Sequence, residues 1–196
     1  MKKYILLFIL INFISIFAEI KIEYPQHQQK ICVDNSINLK WINENPINNY
    51  ILTIRIEDNN LHTIANNYPK EKSEFIWKID DESFFEKNLT FFISDGVTID
   101  SVDFFISKIP TIDFITPSDV LCMGSPFEIK LEASGNNLKY QWFKDNSPIP
   151  NKTAPVLIFD SVGFEHSGIY HCAINSDYCR EIISPFISLY VVAETQ

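Results

Sequence analysis

The sequence predicts an all-β protein of two tandem β-sandwiches behind an N-terminal signal peptide, and three observations carry that prediction. After the N-terminus, apolar residues alternate in short runs bounded by Asn, Asp, Gly and Pro; no segment keeps a 3.6-residue apolar period over three turns; and the runs form two series with a proline-interrupted stretch between them.

The N-terminus has the layout of a secretory signal. Met1-Lys2-Lys3 is a short positive region, Tyr4 to Phe17 is an almost unbroken apolar run, and Ala18 is a small residue at a cleavage point. Residues 1–18 are therefore expected to be removed. The run falls short of the roughly 20 residues that cross a bilayer as a helix, and no later stretch is apolar for long enough. The expectation is a secreted, extracellular chain that does not span a membrane.

Without Lys2 and Lys3 the chain keeps 14 basic against 25 acidic residues, a net charge of −11. A phosphate-binding protein needs a basic patch, and no run of Lys or Arg is present, so nucleic acid is not expected as a partner. With 46% hydrophobic and 14% aromatic residues there is enough apolar material for packed cores, which argues against disorder.

The first series of strands is Ile37 to Trp41, Ile51 to Ile56, Phe75 to Ile79, Leu89 to Ile93 and Val102 to Ile106. The second is Phe127 to Ala133, Leu138 to Phe143, Val156 to Phe159, Ile169 to Ile174 and Pro185 to Val192. The join is expected at Lys108-Ile109-Pro110, giving modules at 19–108 and 109–196. The segment from Cys32 to Trp41 aligns without gaps with the segment from Cys122 to Leu131, which suggests one architecture used twice.

In the second half, Trp142 stands in Tyr140-Gln141-Trp142-Phe143-Lys144, and His166-Ser167-Gly168-Ile169-Tyr170-His171-Cys172 follows. These residues resemble the immunoglobulin superfamily, particularly its bacterial and protist modules. The resemblance implies that Trp142 packs at the centre of the core and that Tyr170 bonds back to the backbone to fix a corner. His166 stands where the family has an aspartate. Leu131 stands where antibody-type domains have the first cysteine of their central bridge, so Cys172 is expected to be a small buried residue facing Leu131. By resemblance to the bacterial type, the disulfide is expected between Cys122 and Cys179, with Cys122–Cys172 as the second pairing. Cys32 is then left to be buried, to pair with Cys172 across the modules, or to link chains into an oligomer.

The first half runs through Trp41 and Trp77, both expected in the core, and resembles the fibronectin-like N-terminal domain of Kre9/Knh1 cell-wall proteins. That resemblance implies a role at a cell wall or surface matrix.

Catalytic and metal-ligating patterns are absent from the sequence. His27, His62, His166 and His171 are scattered, no nucleophile motif accompanies them, and the cysteines lack a Cys-x-x-Cys pair. Asp80-Asp81-Glu82 reads as a solvated turn, because no calcium-loop glycine accompanies it. No enzyme activity, metal or cofactor is expected.

Aromatic side chains give the sharper lead. Alternation directs Phe92 and Phe105 away from the first core, either to pack under a loop or against the second module, or to form an exposed patch for a glycan or protein partner. It likewise directs Gln141, Phe143 and His171 outward in the second module. Asn88-Leu89-Thr90 and Asn151-Lys152-Thr153 are N-glycosylation sequons for a eukaryotic chain. The functional expectation is a non-enzymatic surface protein that recognises a protein or glycan by a sheet face. The alternative is a structural or assembly factor of an extracellular matrix or wall.

Overall fold

The computed structural model describes residues 19–57 and 60–193. The expected signal peptide, 1–18, lies outside them. The first sandwich comprises β1 (Lys21–Tyr24), β2 (Gln29–Val33), β3 (Ser36–Ile42), β4 (Tyr50–Ile56), β5 (Leu61–Tyr68), β6 (Glu74–Lys78), β7 (Lys87–Ser94) and β8 (Ile99–Lys108). The second comprises β9 (Thr111–Ile115), β10 (Asp119–Cys122), β11 (Phe127–Ser134), β12 (Lys139–Lys144), β13 (Ser147–Pro148), β14 (Val156–Phe159), β15 (Gly168–Asn175), β16 (Ile182–Ile183) and β17 (Ile187–Val192).

Both halves are wired alike. The first packs a sheet in the order β1-β3-β6 against one in the order β2-β8-β7-β4-β5, and the second packs β9-β11-β14 against β10-β17-β15-β12-β13, with β16 beside β15. In each half the second strand runs parallel to the last, β2 to β8 and β10 to β17, while every other recorded pairing is antiparallel. Among the described residues no strand pairing joins β1–β8 to β9–β17.

Period-2 alternation builds each core. In β3, Ile37, Leu39 and Trp41 face inward and are buried, while Ser36, Lys40 and Ile42 are exposed. In β7 and β8 the inward sets are Leu89, Phe91 and Ile93, and Val102, Phe104 and Ile106. Trp41 meets Tyr50 edge-on at 5.4 Å between centroids, and Trp77 meets Phe84 at 5.0 Å, so the aromatic rings interlock across the layers. The second core closes on Trp142, which is fully buried with Leu131, Tyr170 and Cys172. Truncating such a tryptophan to alanine costs about 3–5 kcal/mol.

Candidate binding surfaces

The corner of the second sandwich is held by short-range hydrogen bonds. The Tyr170 hydroxyl donates to the His166 carbonyl at 2.8 Å, and the buried Trp142 donates its indole N–H to the Ala154 carbonyl at 2.9 Å. His166, at the aspartate position of the resemblance, caps the turn through its ring: Nδ1 accepts from the Gly163 N–H at 2.8 Å. A nitrogen that accepts carries no proton, so its 3.4 Å approach to Glu165 is not an ion pair. Gly168 sits at φ +157°, a backbone conformation that residues with a Cβ rarely adopt, so the corner favours glycine.

The disulfide differs from the expected one. Cys179 pairs with Cys32, with 5.2 Å between their Cα atoms, and not with Cys122 or Cys172. Cys122 is exposed and free, and Cys172 is buried and free. Strand register explains why. Cys122 lies opposite Val192 at the far end of β17, whereas Cys179 lies beyond Asn175, the opposite end of the sheet. At about 3.3 Å per residue the two are separated by roughly 30 Å, against the 7 Å that a bridge tolerates. Cys32 is therefore consumed within the chain and offers no sulfur for an oligomer.

This bridge joins the two sandwiches, and the residues beside it complete the junction. The Tyr178 ring stands edge-on to Phe105, with 5.1 Å between centroids. The Lys30 ammonium lies 4.2 Å from the Tyr178 ring centroid, and Lys30 also hydrogen-bonds the Tyr178 hydroxyl at 3.2 Å. On the other flank, Asn136 Nδ2 donates to Glu86 at 2.9 Å, and the same carboxylate accepts from the Ser107 hydroxyl at 2.6 Å.

Phe92 and Phe105 both leave the first core, but they do not form one patch. Phe92 is opposite Ser101 and Phe105 is opposite Asn88, so a polar row lies between them: Arg55, Thr90 and Asp103, in register across β4, β7 and β8. Arg55 Nη2 donates to Thr90 Oγ1 at 3.0 Å, and Thr90 Oγ1 donates to Asp103 at 2.7 Å. The Arg55 guanidinium also covers Phe92 at 5.0 Å from its ring centroid, as Tyr178 covers the edge of Phe105. Beside this row is a groove of about 660 Å³ that includes Asn88 in its wall.

The outer face of β10-β17-β15-β12 has a different character. Register places Gln141 beside Ala173 and Ile183, Phe143 beside His171, Ile169 beside Ser188, Val120 beside Tyr190, and Cys122 beside Val192. At one end of this face Lys139, opposite Asn175, pairs with Asp177 at 2.7 Å; none of the residues placed above is Asp, Glu, Lys or Arg, although residues 109–196 hold 10 acidic and 5 basic side chains. Phe143 stacks on His171 with planes 3° apart and centroids 4.9 Å apart, and Phe186 closes on His171 edge-on at 5.0 Å. His171 is thus enclosed, and its Nδ1 has no hydrogen-bond partner among the described residues. With Ile169, Ile183 and Val192 exposed to a lesser degree, the most exposed apolar groups are Phe186, Tyr190 and Val120, each more than 60% exposed. Sequence reasoning did not single out these three or Tyr178, although the alternation Ile187, Leu189, Val191 already turns Tyr190 outward.

Residues 110–186 match a family model described as Immunoglobulin domain. The second sandwich is an immunoglobulin-like domain. Two solved structures of Dscam1 share the fold over both sandwiches. The N-terminal four Ig domains of isoform 6.9 superpose with a TM-score of 0.52 at 21% identity, covering 89% of this chain and 46% of that one. Those of isoform 9.44 do so with a TM-score of 0.52 at 19% identity and the same coverage. The human Mucosa-associated lymphoid tissue lymphoma translocation protein 1 is 41% identical over 44 residues, 22% of this chain and 5% of that protein. The chain thus spans about half the length of those structures and a small part of the curated relative.

Among the described residues no group of three or more His, Cys, Asp or Glu side chains is placed to hold a metal ion, and no helix is long and apolar enough to cross a membrane.

Proposed function

We propose that this chain is a secreted or cell-surface recognition protein whose immunoglobulin-like second sandwich docks a protein partner on the outer face of β10-β17-β15-β12, without chemistry of its own. In this reading residues 1–18 are the signal peptide, and the chain folds as modules 19–108 and 109–196. The observation that carries it is the apolar stretch of the outer face: Phe186, Tyr190 and Val120 are exposed there, and the Lys139–Asp177 ion pair sits only at the end of the sheet near Asn175, in a chain of net charge −9. Solvated sheet faces alternate apolar-in with polar-out, so an apolar outward row marks a surface that is covered in use. A protein partner is favoured over a glycan. Arg55 covers Phe92 and Tyr178 covers the edge of Phe105, so these two rings form no common exposed platform for an external glycan, whereas Phe186 stands exposed at the end of the Phe143–His171–Phe186 stack, as an aromatic anchor of a protein interface does.

The test is direct binding of the purified chain to candidate ectodomains, comparing Phe186→Asp and Tyr190→Asp with Ile158→Asp, which changes an exposed apolar residue on β14 in the opposite sheet. The first two are expected to lower affinity at least tenfold and the third to leave it unchanged. Binding that survives both outer-face changes would sink the proposal.

A second reading, a matrix or assembly factor, is favoured by one feature, the exposed free thiol of Cys122. It predicts disulfide-linked oligomers on non-reducing gels that disappear in Cys122→Ser.

A further inference from the structure

We propose that the groove on the outer face of β8, β7 and β4 is the seat of the chain's own N-linked glycan, attached at Asn88. The proposal rests on reading the chain as secreted. Asn88-Leu89-Thr90 lies along β7, so Asn88 and Thr90 project from the same face, the one that bears the groove. Its volume of about 660 Å³ falls within the range of roughly 300–1,000 Å³ that holds a small ligand.

The lining suits a neutral pyranose. Arg55, Lys30 and Gln28 offer donors, Asp103 offers an acceptor, and Phe105 gives one apolar wall. Hydroxyl and acetamido groups need this mixture of donors and acceptors, whereas an anion or a cation would meet charges of both signs. In the folded chain Asn88 is oriented by Glu57, whose Oε1 accepts from the Asn88 backbone N–H at 3.0 Å and from Nδ2 at 2.5 Å. A glycosylated asparagine keeps one of its two Nδ2 protons, so the Glu57 contact survives attachment and aims the sugar from the groove's own wall.

Attachment takes place on the unfolded chain. Asn88 Nδ2 forms a bond to the anomeric carbon of a lipid-linked oligosaccharide diphosphate, the bond from that carbon to the phosphate oxygen breaks, the lipid diphosphate leaves with the electron pair, and Nδ2 gives up one proton. Folding then lays the first sugars into the groove. The face beside the junction is thereby covered, and the apolar outer face of the second sandwich stays bare.

Asn151 supplies an internal control. It lies in an exposed turn at φ +61°, outside the groove. The chain is secreted from cultured animal cells, and site occupancy is read by glycopeptide mass spectrometry during digestion with a peptide-N-glycosidase. Native protein is expected to lose the Asn151 glycan at least tenfold faster than the Asn88 glycan, and denatured protein is expected to lose both at one rate. Equal native rates, or a bare Asn88 beside an occupied Asn151, overturn the proposal while leaving secretion intact. A chain retained in the cells with both asparagines bare overturns the secreted reading together with it. A bare Asn88 combined with chitobiose binding by Asn88→Gln would show that the groove takes sugars from outside, which also overturns it.

Discussion

Tyr178 stands edge-on to Phe105, with 5.1 Å between centroids and 68° between planes, and the Cys32–Cys179 bridge lies one residue further along. One residue of each partner set comes from each sandwich, so the ring contact and the bridge together fix how the two sandwiches meet.

Removing the bridge should loosen the junction before it melts either core. In the chain-entropy model a cross-link spanning 147 residues constrains the unfolded chain by about 5 kcal/mol. Each sandwich nevertheless keeps its own buried cluster. In Cys179→Ser, amide exchange at Ile109, whose N–H donates to the Val33 carbonyl at 3.0 Å, is expected to quicken at least tenfold, while Trp142 and Leu131 stay protected. Unchanged exchange at Ile109 would show that Tyr178 and Lys30 hold the junction without the bridge.

The two free thiols should differ sharply in reactivity. Burial pushes the Cys172 thiol up to about 11, so almost none of it is thiolate near neutrality and reagent cannot reach it, whereas Cys122 is open to solvent. Iodoacetamide on the native chain is expected to modify Cys122 alone, and Cys172 only after unfolding. Labelling of Cys172 in the native state would mean that the second core opens far more often than its packing implies.

Tyr170 ties stability to alkaline pH. Burial, with a smaller contribution from the Asp145 charge, pushes its hydroxyl from 10.0 up to about 12. The fold holds the neutral form, so this contribution is complete below pH 10 and is lost as pH rises from 10 towards 12. Tyr170→Phe deletes the hydrogen bond to His166 and should cost about 1 kcal/mol near neutrality. Denaturant melts at pH 7 and pH 11 check both points: the gap between wild type and variant should narrow at the higher pH.

The local motifs were legible in the sequence because they act locally. Trp142, Tyr170 and Gly168 declare a sandwich corner through hydrogen bonds and sterics spanning only a few residues or one neighbouring strand, and the inward triplets of β7 and β8 follow from alternation alone. β5 was not legible: Leu61 to Tyr68 has its partly buried residues out of strict alternation, and its register with β4 shifts at Leu52. The disulfide was hidden for a different reason. Cys32 and Cys122 occupy equivalent strands of the repeated architecture, and only the placement of one sandwich against the other decides which of them the Cys179 loop reaches. Phe105 shows the same limit, since its strand turns it outward while Tyr178, 73 positions later, determines what it meets.

If the apolar outer face of the second sandwich is the recognition surface, a pentamerised chain screened against a panel of extracellular ectodomains and a glycan array will bind a protein ectodomain. That binding is expected to be lost in Phe186→Asp and Tyr190→Asp and kept in Ile158→Asp, with all three variants folded by circular dichroism. Binding to glycans alone, or binding lost in Ile158→Asp and kept in the other two, would contradict it.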